Sequence, residues 1–328
     1  MPSRPPTTLW CDEPVDELRL RDSTDDDVPA LADVATRGFQ RFTGRAAPWT
    51  VTALRRMRKV PGRDPGRDFP VVVRGDEVVA WGALFANPPY REIFSPLHVD
   101  PDLDDHALDT ALDLLLDHLD GLARDVVADE PADPERLRTT EVVAQDERLR
   151  DRLETRRFVV DRDEYEMAIE LDGVPDAPSW PEGITVAELR GPQDTDVVVD
   201  LLAGSFAEHP GDLPFSTSLI GHVLSGEDFR AAGSALASDS EGPVGLVVCR
   251  DRADAGYVWV LGVLPRARRH RLGTALLRHA FHAYAAAGTA LVTLDVDGGN
   301  DSGALTVYER AGMTVRTRNL VLQRPLAP

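Results

Sequence analysis

Cysteine is almost missing from this chain of 328 residues. Cys11 and Cys249 are the only two, too few for a disulfide framework or a cysteine-based metal cluster. Cys249 ends the apolar run Gly245–Cys249, the setting of a buried strand thiol. Lysine is nearly absent as well: of 36 basic residues only Lys59 is a lysine, which reads as biased codon usage. No apolar stretch approaches the length of a membrane span, and Met1-Pro-Ser-Arg-Pro-Pro-Thr-Thr lacks the apolar core of a secretory leader. The expectation is a cytoplasmic protein without membrane association. Positive charge is scarce relative to negative, giving a net −20. Such an excess repels the phosphate backbone of nucleic acid. Neither Gly-x-Gly-x-x-Gly nor a Gly-Lys-Ser/Thr loop occurs, which counts against dinucleotide and P-loop sites. His98 and His106 have no metal-ligand spacing, so no metal is expected.

What is present is organised in two similar halves. Asp172-Gly-Val-Pro-Asp-Ala-Pro-Ser-Trp-Pro-Glu-Gly183 is rich in residues that block regular structure and reads as a linker. On either side, Arg37-Gly38-Phe39 parallels Gly204-Ser205-Phe206, and Leu97-His98-Val99-Asp100-Pro101 parallels Leu261-Gly262-Val263-Leu264-Pro265. Leu153-Glu-Thr-Arg-Arg-Phe158 parallels Tyr308-Glu-Arg-Ala-Gly-Met313. The near-constant offset argues for duplication of a whole unit rather than a short repeat. The expected division is a flexible N-terminus over 1–15, a first unit over 16–172, a linker over 173–183 and a second unit over 184–328. In the second unit the patterns predict strands near 184–189, 244–250, 257–263, 290–296 and 313–323. They predict helices near 194–206, 216–224, 272–287 and 302–311. Leu272, Leu276, Ala280 and Tyr284 give the third of these helices one apolar stripe, and Gly288 and Gly312 are natural terminators.

The chemistry concentrates in residues 257–313. Tyr257–Val263 reads as a buried strand; Pro265 follows, then a turn with four arginines between 266 and 271, then a helix. A strand that ends in exposed amides and opens into a helix is an anion site, because the first helical N–H groups lack intrahelical partners and the dipole is positive there. Guanidinium groups suit a phosphate.

Val263-Leu-Pro-Arg-Ala-Arg-Arg-His-Arg-Leu-Gly-Thr-Ala-Leu-Leu277 resembles the acetyl-CoA-binding segment of the GNAT N-acetyltransferases. Asn300-Asp-Ser-Gly-Ala-Leu-Thr-Val-Tyr308-Glu-Arg-Ala-Gly-Met313 resembles that family's second segment. Two such units in one chain are similar to the tandem GNAT arrangement that includes the mycothiol synthases. The resemblance implies an α/β (α+β) fold of two GNAT-like units, each a mixed, mostly antiparallel sheet flanked by helices. It implies acetyl-CoA as co-substrate and transfer of its acetyl group to the primary amine of a small molecule in a ternary complex. It also implies that two central strands splay apart to admit the thioester. The amides of Arg269 through Thr274 (Arg269, His270, Arg271, Leu272, Gly273, Thr274), with Arg268 and Asn300, then form the cradle. Leu261, Gly262 and Val263 pair with the pantetheine arm, Gly262 leaving room. Arg271 stands where the family most often has glycine; the intact flanking pattern favours a place in the first helical turn, where arginine is tolerated.

By the same resemblance Tyr308 protonates the departing thiolate, against the plainer reading of a core aromatic. For the base, Glu208 and Tyr257 rank first, with His209 and Asp295 behind; Glu208, His209 and Asp212 lie in a loop where solvated residues are as common as substrate contacts. The first half lacks the cradle: Asp102-Leu-Asp-Asp-His106 is acidic where the second is basic, and Leu153 and Arg157 stand at the places of Tyr308 and Gly312. Residues 1–172 carry 23 basic and 38 acidic residues, a net −15, against a net −5 for the remainder. The first unit therefore reads as a silent copy that supplies a wall of the acceptor site, and the intrachain pair predicts a monomer. The alternative is an acyl-CoA-binding sensor or scaffold without turnover.

Overall fold

A computed structural model describes residues 17–45, 49–131, 133–207, 215–252, 255–268, 270–299 and 303–326. The first half runs β1 (Leu18–Arg21), α1 (Val28–Thr43), α2 (Val51–Met57), β2 (Val71–Arg74), β3 (Glu77–Gly82), β4 (Phe85–Ala86), β5 (Glu92–Phe94), β6 (Leu97–Val99), α3 (Asp105–Val126), β7 (Leu137–Val143), α4 (Glu147–Thr155) and β8 (Val159–Glu170). The second runs β9 (Thr185–Glu188), α5 (Thr195–Ser205), α6 (Thr217–Leu224), β10 (Ala235–Asp239), β11 (Gly242–Asp251), β12 (Gly256–Val263), α7 (Leu272–Ala286), β13 (Leu291–Asp297), α8 (Ala304–Arg310) and β14 (Thr314–Pro325).

Each half packs helices on both sides of its sheet. α3 presents Leu108, Leu112, Leu115, Leu119 and Leu122 at helical spacing, and all are buried against the first half's strands. α7 does the same with Leu272, Leu276, Ala280 and Tyr284. Burying each such leucine is worth about 1.5–3 kcal/mol before entropy. The Tyr284 hydroxyl, wholly buried, donates to the Arg250 carbonyl at 2.6 Å and accepts from the Tyr257 amide at 3.2 Å, which ties α7 to β11 and β12. Gly256 is required beneath it, since a Cβ there would stand 2.5 Å from the ring. Cys249 is buried as expected, and burial pushes its thiol up to about 12.

Sheet order shows something the linear repeat does not. β1-β2-β3-β6 form one sheet, and β4-β5-β7-β14-β8-β13-β12-β11-β10-β9 form a second. The closing strand of the first half, β8, pairs with β13 of the second, Asp295 opposite Glu166 and Asp297 opposite Glu164. The closing strand of the second half, β14, pairs with β7 of the first, Asn319 opposite Val143 and Val321 opposite Glu141. The two exchanged strands pair with each other at the centre, Thr317 opposite Glu166 and Asn319 opposite Glu164. Each half therefore completes its sheet with the other's last strand. β10 had no counterpart among the strands predicted near 184–323; its Ala-Leu-Ala-Ser-Asp sequence has little β propensity, and pairing with β9 and β11 holds it.

Candidate active site

The site begins where two strands part. β12 and β13 run parallel, and their pairing stops after Gly256–Val292 and Tyr257–Thr293. Beyond that point the β13-facing edge of β12 has no strand on it, while its other edge stays paired to β11 through Gly245–Val263. The divergence coincides with a bulge. Val248 lies opposite Val260 and Cys249 opposite Val258, so Trp259 is an extra residue, and such an insertion bends a strand and re-aims its side chains. In the first half the corresponding strand is cut into β5 and β6 by Ser95-Pro96. The same locus is thus irregular in both copies.

α7 opens at the end of this cleft. Its N-cap has no side-chain hydrogen bond, so among the described residues no side chain caps the first amides of the helix, those of Leu272, Gly273 and Thr274. Leu272 contributes only its amide, because its side chain is in the core. Leu261 and Val263 are half-buried against α7 and α8. Arg271 requires a correction. It is the N-cap and has φ 62°, ψ 13°, the left-handed conformation, not a place in the first turn. Arg271 is the last residue before the helix and carries a positive φ, the conformation that glycine adopts without a Cβ penalty. Gly262 also has a different reason from the one expected. A Cβ on it would stand 3.0 Å from Ser205 Oγ and 3.5 Å from Leu202, so the glycine admits α5 rather than a ligand. Arg268 points inward, donating to the carbonyls of Val263 at 3.2 Å and Ser205 at 2.6 Å, and so fastens β12 to the end of α5. His270 and Arg271 are exposed. Arg269, Asn300, Glu208, His209 and Asp212 lie outside the described residues.

Tyr308 lies on α8, half-buried among α7 and β13 residues, one residue from Val307, which touches the first turn of α7 at Gly273. Burial pushes its phenol up to about 12. It stays protonated through the physiological range, and its hydroxyl has no hydrogen-bond partner among the described residues. Tyr257 stands across the cleft floor. Its hydroxyl donates to Asp295 Oδ2 at 2.9 Å, Arg252 donates to the same oxygen at 2.8 Å, and the Arg252 guanidinium lies 3.5 Å over the Tyr257 ring. Burial first, and Asp295 second, raise the Tyr257 phenol further, which keeps it protonated as the donor to Asp295.

The sheet carries this acidic floor into the first half. On the face that bears Tyr257 and Asp295, β8 places Glu164 and Glu166, β13 adds Asp297 and β7 adds Glu141. Glu166 is held by Arg45 at 2.9 Å, and Asp297 by Arg162 at 3.2 Å. Glu141 accepts from Asn319. None of these residues except Asp295 was singled out by sequence. The available signal was β8 itself, whose Asp-Arg-Asp-Glu-Tyr-Glu run is unusually charged for what proves to be a central strand.

In the first half the corresponding space is filled. Asp104 caps α3, its carboxylate accepting from the Ala107 amide at 2.8 Å. His98, in Gly262's place, is stacked on Trp81 at 4.3 Å, and burial lowers its imidazole to about 3. Leu153 is wholly buried where the second half has Tyr308, and Arg157 adopts φ 67° where Gly312 has φ 97°.

Comparison with known proteins agrees with this geometry. Residues 202–313 match the model of the acetyltransferase (GNAT) family. Mycothiol acetyltransferase of Sanguibacter keddieii is 32% identical over 185 residues, 51% of this chain and 57% of that protein. Mycothiol acetyltransferase of Streptomyces griseus is 32% identical over 146 residues, 44% and 47%. The chain spans about half the length of the curated relatives it matches. The GCN5-related N-acetyltransferase of Sphaerobacter thermophilus superposes with a TM-score of 0.76 at 25% identity, covering 95% of this chain and 96% of that one. A tandem GNAT protein from the clavulanic acid biosynthesis pathway superposes at 0.69, with 17% identity and 95% and 99% coverage, a likeness of fold.

Proposed function

We propose that this chain is a GNAT-superfamily protein with two such units in tandem, and an acetyl-CoA-dependent N-acetyltransferase acting on the primary amine of a small molecule by direct transfer in a ternary complex. The observation that carries the reading is the early end of β12–β13 pairing beside the uncapped start of α7. An open strand edge suits an extended arm rich in amides. Outward amides at a helix start suit a diphosphate, and the residues present fit both parts of the co-substrate.

Acetyl-CoA supplies an acetyl group activated as a thioester. The chain's own part is to hold and orient. The amides of His270 through Thr274 and the Arg271 guanidinium bind the diphosphate, and Leu261–Val263 fix the arm along the strand edge. Tyr308 Oη holds a proton beside the place where sulfur is released, and such an acid contributes roughly 10²–10⁴-fold. Tyr257, locked by Asp295 and Arg252, shapes the acceptor side. The first half, its own cradle filled by Asp104 and His98, supplies wall and floor.

The reading is tested by calorimetry with acetyl-CoA, then by release of free thiol in the presence of an amine panel. Heat and amine-dependent thiol release support it; no heat at millimolar acetyl-CoA refutes it. A non-catalytic acyl-CoA-binding module is the second reading, favoured by the inward turn of Arg268 and the left-handed Arg271. It is distinguished by heat without thiol release.

A further inference from the structure

Resting on the transferase reading, we infer that the acceptor is a cationic amine with no free carboxylate beside its reacting nitrogen, and that Glu164, from the exchanged strand β8, takes the proton that this nitrogen must lose.

The charges on a single sheet face do not all find partners. Glu166 is paired with Arg45 and Arg316, Asp295 with Arg252, and Asp297 with Arg162. Glu141 has the side-chain amide of Asn319 but no cation. Glu164 has neither a hydrogen bond nor an ion pair among the described residues. It sits opposite Asp297 and Asn319 and diagonal to Asp295, which places the carboxylates within reach of one small molecule. Two further groups on this patch lack partners among the described residues. The Thr293 hydroxyl, on a residue only 1% exposed and two positions before Asp295, has none, and neither does Asn319 Oδ1. Buried polar atoms are usually paired, so unpartnered ones on the face that continues the cleft mark a place where a polar molecule completes the set. An ammonium donates to carboxylates and a carboxamide oxygen alike.

The groups around Glu164 all bear on its charge. Arg162 on its own strand attracts; Asp295 and Asp297 on β13 repel, although Arg252 and Arg162 pair with them, and Glu141 on β7 repels; Glu166 is matched by Arg45 and Arg316, and the Tyr257 phenol is uncharged. Burial and the neighbouring carboxylates push Glu164 up to about 7, and burial with Glu164 and Asp295 holds Glu141 well above the usual range. A carboxylate in that range is suited to accept a proton at neutral pH. The ammonium N–H bond breaks and its proton passes to Glu164 Oε. The nitrogen keeps the electron pair and forms the N–C bond to the acetyl carbon. The C–S bond breaks, its pair leaves on sulfur, and Tyr308 Oη supplies the proton there; the second proton of the acylated nitrogen then passes to the Tyr308 phenolate, which leaves a neutral amide, a free thiol and one proton on Glu164. An acceptor with a carboxylate next to the amine would add a like charge to this face and be repelled.

The test compares matched acceptors, alaninamide against alanine and glycinamide against glycine, together with 1,4-diaminobutane and glucosamine, in the full-length wild type, E164Q, E164D and E141Q. The wild type is expected to prefer each amide over its acid by at least about tenfold in kcat/KM, with an acid limb in the pH profile near 7. E164Q is expected to lose roughly a hundredfold and that limb, E164D to restore the limb and part of the rate, and E141Q to narrow the amide preference. An E164Q profile with the limb unmoved, or a wild type indifferent between amide and acid, overturns the inference. Acetyl-CoA binding with none of the amines accepted does so as well. No acetyl-CoA binding by the wild type removes the transferase reading itself, a separate result from these.

Discussion

Replacing Arg271 by glycine should make the protein more stable, although arginine-to-glycine changes at exposed sites ordinarily do the reverse. Arg271 holds φ 62°, exposed, at the start of α7. For a residue with a Cβ the left-handed conformation costs about 1–2 kcal/mol. Glycine removes that cost but adds about 0.4–1 kcal/mol of unfolded-chain entropy, so the net gain is about 0.5–1 kcal/mol. With roughly 2.1 cal/mol/K of unfolding entropy per residue, the rise in Tm is about 1 °C. Arg157 is the internal control, equally exposed with φ 67° at the end of α4. R157G should gain as much, and the double variant should show the sum, since α4 and α7 share no partner. The two differ in function. R271G removes a guanidinium from the cradle, so its acetyl-CoA affinity should fall less than about fivefold and become less salt-dependent, whereas R157G leaves affinity unchanged. Calorimetric melts and acetyl-CoA titrations at two ionic strengths measure all of this. Loss of stability in both glycine variants would refute the conformational reasoning, and an identical binding response in both would remove Arg271 from the cradle.

Three further outcomes follow from the geometry. Y308F should lower kcat by roughly a hundredfold while acetyl-CoA affinity and melting temperature hold, since the hydroxyl makes no hydrogen bond among the described residues; unchanged turnover would dismiss Tyr308 as the acid. G262A should cost about 1–2 kcal/mol in a thermal melt, because its Cβ would press Ser205 at 3.0 Å and push α5 outward. Glu164 makes stability fall as pH rises. Its folded value of about 7 exceeds the unfolded 4.5, so the folded state holds the extra proton and about 1–3 kcal/mol is lost between pH 4.5 and 7. Urea midpoints across that window should slope downward in the wild type and flatten in E164Q, and equal slopes would contradict the assignment.

The second half could be read closely because its elements follow local rules. Leu272, Leu276, Ala280 and Tyr284 sit at one helical spacing, Gly288 and Gly312 stop helices, and the pattern near 257–263 is a buried strand; all three appear within a residue or two of their expected bounds. What local pattern could not convey was conformation imposed from outside. Arg271 is left-handed as the last residue before α7, and Gly262 is bare because α5 presses on it. Nor could it convey pairing across the duplication. β8 and β14 are each legible as strands, but a strand's sequence states its faces and not its neighbour, and in a duplicated chain both neighbours suit it.

That ambiguity has a consequence for how the duplicated halves are understood. In an unexchanged pair β14 would lie against β13, and the residues beside Asp295 would come from the second half alone, Thr317 and Asn319 among them. Exchange instead inserts β8, so Glu164 and Glu166 meet Asp297 and Asp295, while β14 moves on to meet Glu141. The acids on the proposed acceptor face come from both halves, Glu141, Glu164 and Glu166 from the first and Asp295 and Asp297 from the second. If Glu164 is the base as proposed, the strand exchange is the physical reason that a first-half carboxylate stands beside Asp295 and Asp297.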